Sequence, residues 1–331
     1  MFPRYFALSL AFLPAAYGLK VAYSQDLPQG AGIENLALRP CGNALLTDNS
    51  GAHIYEVEPV AGSAPKLLHS FNGTHGASGI TESSNPDEFF VVTGHYSFEL
   101  QSPIPGSYAI HRLSFDNRGQ PVVKQLSPLG VAQPNGLLHV PHTSDVLIAD
   151  SYAGYIWKFN TVTLALTLYF DHPMLKPQAV SGLIFGVNGI KFSQEYLYFS
   201  NTNLGSIYRM RATGREDQLH GIPELVAQGT PADDFIIDDN GDIYLAQQLP
   251  ANSLGYLSRS RFGMMPETIV GGPESNAVAG CTAVARAKPS FEQTQKLGRT
   301  LLVPVNGNLT AILNGDTTQR AKLGIVYLDQ N

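Results

Sequence analysis

One pattern of apolar and polar positions recurs along the chain and predicts antiparallel β-strands. A polar residue opens an apolar strand, a tight turn leads into a second apolar strand, and a small polar turn leads into a third. The first copy opens with Glu34 and turns at Gly42, and the clearest copy opens with Asp233 and turns at Gly241, at the same offset. Short apolar runs bounded by Gly, Pro, Asn and Asp are typical of strands, and no helical period of convincing length competes with them.

The spacing of the copies predicts the fold. Further copies open at Ser78, Asn135, Asn188 and about Cys281, so that consecutive openings lie 44 to 57 residues apart. A period of this size is typical of a four-stranded propeller blade. The sequence therefore predicts an all-β, six-bladed β-propeller. We expect residues 21–25 to supply the outermost strand of the last blade, because that pairing leaves no open seam.

The N-terminus has the pattern of a secretory signal. Arg4 precedes an apolar stretch at positions 5–16, which ends in small residues before Gly18. This stretch is too short for a stable membrane span, and a buried first strand is the alternative interpretation. We therefore expect residues 1–18 to be a signal peptide and residues 19–331 to form a single propeller domain. The protein would then be secreted or would reside in the lumen of the secretory pathway.

Composition narrows the possible partners. Charged residues make up 15% of the chain, the net charge is −6, and no run of Lys or Arg occurs. Nucleic acid is therefore not an expected partner, since its phosphates require a basic patch. No second apolar stretch is long enough to cross a bilayer, so a membrane partner is not expected either. The sequons at Asn72 and Asn308 are candidate N-glycosylation sites of a secreted chain.

The two cysteines are not expected to pair. Cys41 lies in the turn that ends the first inner strand, whereas Cys281 lies near the start of the last inner strand. These positions fall at opposite ends of the channel, and a disulfide requires Cα atoms within about 7 Å of each other. We predict that the chain forms no intramolecular disulfide.

Several motifs resemble the senescence-marker-protein and gluconolactonase family of six-bladed propellers. They are Pro134-Asn135-Gly136-Leu137, Asn188-Gly189-Ile190, Leu197-Tyr198-Phe199-Ser200 and Ala149-Asp150-Ser151. The resemblance implies a divalent cation, usually calcium, in the channel mouth. Its implied ligands are Glu34, Asn188 and Asp233, and Asn135 would reach the metal or the substrate. Carboxylate and amide oxygens are the donors that hard divalent cations prefer.

Two departures distinguish the chain from the usual pattern of that family. Leu36-Ala37-Leu38 stands where the family has an aromatic residue, and Asp234-Phe235 stands where a Gly follows the late Asp. Both changes make the mouth more apolar. A closer likeness is to a fungal secreted branch that contains hetero-Diels–Alderases, and it is carried by residues 175–177, 186–190, 198–203, 233–235 and 279–282. That likeness implies a reaction that joins a tropolone quinone methide to a macrocyclic sesquiterpene such as humulene.

The direction of the strands maps the other residues of the mouth. Each inner strand is expected to start at the mouth and the second strand to return to it, so the ends of the second strands share this face. Loops on one face of a rigid scaffold usually carry recognition. We expect the catalytic groups to be Asp233, Asn135, Asn188, His95 and Tyr96. We expect the substrate to contact Glu34, Tyr108, Tyr152, Asn201 and Gln247.

Three functions are compatible with these features. A cyclase would hold two small apolar substrates in a reactive pose and would require no cofactor, although a bound cation could polarise the acceptor. A lactonase or esterase would use one divalent cation, with Ca²⁺ the expected ion, and Asp233 as its base. Binding of a small molecule without catalysis is the third, since a propeller fold does not fix the function.

Overall fold

Six four-stranded antiparallel sheets are arranged around a central channel. A computed structural model describes residues 19–97, 100, 102–178, 184–212, 219–248, 250–295, 298–307 and 318–328. The all-β, six-bladed propeller predicted from the repeat is confirmed. The expected signal peptide at residues 1–18 lies outside the described residues.

Each blade begins with an inner strand beside the channel and ends with an outer strand at the rim. Blade 1 contains Ile33–Leu38, Ala44–Asp48, His53–Val57 and Lys66–Ser70. Blade 2 contains Gly76–Glu82, Phe89–Gly94, Ala109–Phe115 and Pro121–Pro128. Blade 3 contains Pro134–His139, Asp145–Asp150, Tyr155–Asn160 and Leu166–Asp171. Blade 4 contains Val187–Ser193, Tyr196–Asn201, Ser206–Ala212 and Leu219–Gln228. Blade 5 contains Ala232–Ile237, Ile243–Gln247, Ser253–Leu257 and Glu267–Gly271. Blade 6 contains Ala285–Arg286, Thr300–Val305, Lys322–Tyr327 and Lys20–Tyr23.

The connections between strands carry little further secondary structure. A two-stranded ribbon pairs Tyr96–Ser97 with Ser102–Pro103. Single 3₁₀ turns span Pro173–Leu175 and Arg259–Arg261, and a short α-helix spans Pro289–Thr294. No helix in the described part of the chain is long and apolar enough to cross a membrane.

The N-terminal strand closes the ring. Lys20–Tyr23 pairs antiparallel with Lys322–Tyr327, from Lys20 opposite Tyr327 to Tyr23 opposite Gly324. The backbone N–H of Leu323 donates to the Ser24 hydroxyl at 3.0 Å, which extends the contact beyond the strand. The predicted closure is confirmed, and it covers the edge that the last blade would otherwise expose.

The hydrophobic core is divided among the interfaces between neighbouring blades. The second strand of blade 2 shows how one strand serves two interfaces. Phe89 and Val91 pack against blade 1, whereas Phe90 and Val92 pack against blade 3. Because both faces are buried, the strand is a continuous apolar run rather than an alternating one, and each fully buried Phe contributes roughly 1.5–3 kcal/mol.

Both cysteines are free, as predicted. Cys41 is exposed, whereas Cys281 is buried between blades 5 and 6 and its thiol donates to the Ser253 carbonyl at 3.3 Å. Burial raises the pKa of the Cys281 thiol to about 12. Cys281 is therefore a core residue that remains protonated at neutral pH.

Candidate functional site

A β-bulge recurs in five of the six inner strands, at the position that opens each repeat. The strand pairing shifts by one residue next to Glu34, Ser78, Asn135, Asn188 and Asp233. A bulge re-aims the side chain at the extra residue. The repeated bulge therefore gives these five positions equivalent places around one end of the channel, and together with the corresponding position of blade 6 we call them the ring.

Glycine follows three of the ring residues because the next blade comes very close. A Cβ atom at Gly79, Gly136 or Gly189 would lie 1.8 to 2.4 Å from an atom of the next inner strand. At Gly136 that atom is the backbone oxygen of Asn188, at 2.2 Å. The Asn-Gly pairs of the sequence thus have a packing reason: the glycine lets adjacent blades approach while the asparagine occupies the ring.

Four ring residues form two hydrogen-bonded pairs whose carboxylates lie close enough to repel each other. The Asn188 side-chain amide donates to Asp233, and Gln248 donates to the other oxygen of the same carboxylate. The Asn135 amide donates to Glu34. Asn135, Asn188 and Asp233 are 5% exposed or less, whereas Glu34 is partly exposed. The structure therefore brings together two carboxylates held by amide donors.

Burial and mutual repulsion make these two carboxylates weak acids. Burial raises the pKa of Glu34, and the neighbouring Asp234 carboxylate raises it further. Burial also raises the pKa of Asp233 well above its usual range, and repulsion from Glu34 and Asp234 adds to the effect. Amide hydrogen bonds oppose the shift in both residues without cancelling it. The cluster therefore favours retention of a proton at a pH where isolated carboxyl groups are ionised.

A second polar network joins three inner strands next to the ring. The Lys191 ammonium of blade 4 lies 2.5 Å from one oxygen of Asp234 in blade 5. The Asn35 amide of blade 1 donates to the other oxygen at 3.2 Å. Blades 5 and 1 are not neighbours, so this contact crosses the channel. The sequence pattern did not single out Lys191 or Asn35, and the departure at Asp234 from the family pattern was the available signal.

The two remaining ring positions carry hydroxyl groups that fasten one blade to the next. The Ser78 hydroxyl donates to the Pro134 carbonyl at 3.0 Å. The Thr282 hydroxyl makes the equivalent bond to the Ile33 carbonyl at 2.9 Å. The sixth ring position is therefore Thr282, one residue after the predicted opening at Cys281.

Aromatic side chains form a shelf on the face of the mouth. The rings of Tyr96 and Phe185 are stacked, with centroids 6.3 Å apart and planes 28° apart. His75 and His95 pack edge to face with centroids 3.9 Å apart. Tyr152 is close enough to Tyr96 to influence its titration, and burial raises the pKa of Tyr96. His95, Tyr96 and Tyr152 thus lie on this face as expected, while His75 and Phe185 are additional members of the shelf.

Asn201 and Gln247 do not line the mouth as expected. Asn201 is fully buried, and its amide donates to the Met174 and Lys176 carbonyls. Gln247 is 5% exposed and bonds to the hydroxyls of Thr230 and Ser253. Both residues end a second strand, where a polar side chain fastens the adjoining loops. The structure therefore gives Asn201 and Gln247 a support role at the ends of these two strands.

Tyr108 also lies beneath the surface. It is 5% exposed, packs on Gly94, and donates its hydroxyl to the His95 carbonyl at 3.2 Å. Burial raises its pKa strongly. Tyr108 therefore holds the backbone of the shelf in place and does not present a free face at the mouth.

The ring offers oxygen donors to a divalent cation. Glu34 and Asp233 provide carboxylates, and Asn188 retains an amide oxygen because its nitrogen is committed to Asp233 and Thr202. No group of three or more His, Cys, Asp and Glu among the described residues has the arrangement of a metal site. A site here would depend on the amide oxygens, a mixed donor set that fits Ca²⁺.

The structure describes one of the two sequons, the one at Asn72. Asn72 is exposed in the connection between blades 1 and 2, where Gly73 has a φ of 75°. The Thr74 hydroxyl donates to the Gly94 carbonyl at 2.9 Å. Asn308 lies outside the described residues.

The chain is similar in sequence to two proteins named as proposed hetero-Diels–Alderases. It is 28% identical to asR5 of Sarocladium schorii over 239 residues, which cover 63% of this chain and 58% of the length of that relative. It is 26% identical to a protein of a Phoma species over 313 residues, or 86% of each chain. No family model matches the chain. The resemblance to hetero-Diels–Alderases expected from the motifs is confirmed.

Solved structures share the fold at low sequence identity. Regucalcin of Agrobacterium tumefaciens, a calcium-binding protein, superposes with a TM-score of 0.60 at 15% identity, covering 93% of this chain and 95% of its own. A gluconolactonase of Xanthomonas campestris superposes with a TM-score of 0.57 at 14% identity, covering 91% and 87%. These likenesses establish the propeller fold and leave the reaction to be argued from the site.

Proposed function

We propose that the chain is a pericyclase that catalyses a hetero-Diels–Alder reaction at the channel mouth. Its substrates would be a tropolone-derived quinone methide and a macrocyclic sesquiterpene of the humulene type. The stacked pair of Tyr96 and Phe185 beside a hydrogen-bonding ring carries the proposal. A flat aromatic surface suits a planar conjugated ring, and the ring residues suit its oxygens. The names of the two relatives support the same reaction class.

The reaction makes modest chemical demands on the protein. The conjugated C=C–C=O unit of the quinone methide adds across one alkene of the sesquiterpene. One C–C bond and one C–O bond form together, every atom is retained, and no electrons pass to a redox partner. The protein must hold two apolar partners at reacting distance, which removes an entropic part of the barrier. Because no atoms are lost and no electrons are transferred, the reaction requires no cofactor.

The ring would activate the oxygen-bearing partner. Charge builds on the quinone-methide oxygen as the new bonds form, and a donor aimed at that oxygen stabilises it. Glu34 is the ring member that combines partial exposure with a direct link to Asn135. A carboxyl group that keeps its proton in the Glu34 and Asp233 cluster is such a donor, as in other sites where burial keeps an acid neutral. His95 and Tyr96 would contribute further hydrogen bonds from the shelf.

A second candidate is a lactonase or esterase, favoured by one observation. Glu34, Asn188 and Asp233 form a donor set that fits calcium, and a gluconolactonase shares the fold. When bound, a cation would polarise the substrate carbonyl. Asp233 would then act as the base toward water, and Asn135 would orient the substrate. The names of the two relatives favour cycloaddition, which places this candidate second.

An assay with both substrate classes distinguishes the candidates. Purified protein is given an in-situ quinone methide with humulene, or a panel of lactones, with and without a chelator. We expect accelerated, stereoselective cycloaddition that survives the chelator, and we expect Phe185→Ala to lower the rate at least tenfold. Phe115→Ala is the matched control, because Phe115 lies at the far end of blade 2. Lactone hydrolysis that a chelator abolishes, without cycloaddition, would favour the second candidate.

A further inference from the structure

A groove distinct from the channel mouth lies between blades 1 and 2. It has a volume of about 420 Å³. Its lining comes from the end of the blade 1 outer strand and the connection that follows it, and from the last three strands of blade 2 with the loop before its third strand. Phe71 forms an aromatic floor, with His69 and His111 packed on it at centroid distances of 4.7 Å each. Asn72, which is exposed, stands on the rim.

The chemistry of the groove selects an uncharged, hydroxyl-rich ligand. None of its lining residues is an Asp, Glu, Lys or Arg. Its histidines are neutral near pH 7, because burial lowers the pKa of His69 and lowers that of His111 to about 4. Thr93, Ser107 and Gln125 add neutral donors and acceptors. Neutral hydrogen-bonding groups around an aromatic floor suit a carbohydrate, whose hydroxyl groups and apolar faces need both.

His111 presents an imidazole ring to the groove. It is only 8% exposed, lines the groove, and uses one ring nitrogen to bond Thr93 at 2.9 Å. The other ring nitrogen is the atom to which we expect a ligand hydroxyl in the groove to bond.

We propose that this groove is a sugar subsite that seats the first sugar of a glycan carried by Asn72. The inference assumes passage through the secretory pathway and is independent of the reaction at the mouth. A sugar attached at the rim is present at a high effective concentration, so weak contacts in the groove suffice to hold it. The Asn72 sequon would then serve the stability of the interface between blades 1 and 2.

Trimming of the glycan tests the proposal. The protein is secreted from yeast, and site occupancy at Asn72 is measured by peptide mass spectrometry. One portion is treated with endoglycosidase H, which leaves the first sugar, and another with peptide N-glycosidase F, which removes it and hydrolyses the Asn72 amide to a carboxylate. We expect the trimmed form to keep the Tm of the untreated protein and the bare form to melt at least about 2 °C lower. We also expect diethyl pyrocarbonate to modify His69 at least threefold faster in the bare form.

Matched variants distinguish binding of the first sugar in the groove from a general effect of glycosylation on stability. Gln125→Ala should abolish both differences while Asn72 stays occupied, whereas Lys124→Ala, on the other face of the same strand, should preserve them. Asn72→Gln should match the bare form. An unoccupied Asn72, or trimmed and bare forms that behave alike, would overturn the proposal. Protection of His69 in Asn72→Gln by free N-acetylglucosamine, with no effect of the attached sugar, would overturn it in favour of a free-sugar site.

Discussion

At the scale of single residues, the mouth places three carboxylates close together, those of Glu34, Asp233 and Asp234. Lys191 is paired with Asp234, while Glu34 and Asp233 rely on amide donors. Desolvation of such groups is costly, and partners with well-placed hydrogen bonds offset it. The sequence predicted Glu34 and Asp233 because they open equivalent repeats. It did not predict Lys191, because the contact between Lys191 in blade 4 and Asp234 in blade 5 depends on how the bulge orients each side chain.

The pair of Lys191 and Asp234 can be tested by a double-mutant cycle. Lys191→Met leaves the buried Asp234 carboxylate without its cation. Complete burial would make this cost about 3–5 kcal/mol, and because the Lys191 side chain is 25% exposed we expect about 1–3 kcal/mol. Urea unfolding of both single variants and of Lys191→Met with Asp234→Asn provides the measurement. The double variant should lose less stability than the sum of the single losses, and strict additivity would show that the pair is not coupled.

At the scale of elements, the repeated bulge and its glycine explain what a strand pattern can and cannot predict. The apolar runs identified the strands, since each inner strand is buried on both sides. The mouth-facing ends of the second strands were also located correctly. The burial of Asn201 and Gln247 was not predicted, because sequence shows that a polar residue ends a strand but not whether it faces solvent or a neighbouring loop. That depends on whether a partner in a neighbouring loop comes within hydrogen-bond distance of the side chain, which the folded structure determines.

The close approach at Gly136 makes a sharp prediction. A Cβ there would lie 2.2 Å from the backbone oxygen of Asn188, which has no freedom to yield. We expect Gly136→Ala to destabilise the protein by about 1–3 kcal/mol through overpacking. Gly130→Ala is the control, because a Cβ at Gly130 meets nothing within 4 Å. Chemical unfolding should show that control within about 1 kcal/mol of wild type, and equal effects at the two sites would refute the packing argument.

At the scale of the whole molecule, stability depends on closure of the ring. The N-terminal strand shares a sheet with the last blade, so distant parts of the sequence meet in one interface. A period near 50 residues predicted the number of blades, and the need to remove a free edge predicted the closing strand. Such arguments do not predict the reaction, since the same propeller fold occurs in a calcium-binding protein and in a gluconolactonase.

Removal of the closing strand tests this dependence. A chain that starts at Ser24 lacks Lys20–Tyr23 and exposes the edge of Lys322–Tyr327. We expect its Tm to fall by about 10 °C or more, because several kcal/mol of pairing and packing are lost. A chain that starts at Lys20 is the control and should melt like the longer one. Thermal unfolding of both chains is monitored by circular dichroism, and equal Tm values would contradict closure by this strand.

The rate of cycloaddition by Asp233→Ala tests the central claim, that the ring at the channel mouth is the active site. Loss of this carboxylate removes the partner of Asn188 and Gln248 and disorders the donors beside the substrate. One misplaced donor costs roughly 10²–10³ in rate, so we predict a fall of that size at a matched folded fraction. Asp239→Ala should keep the wild-type rate, because Asp239 is exposed at the other end of blade 5. Asp233→Asn extends the measurement if the alanine variant does not fold. Wild-type turnover by a folded Asp233 variant would contradict the assignment of the mouth as the active site.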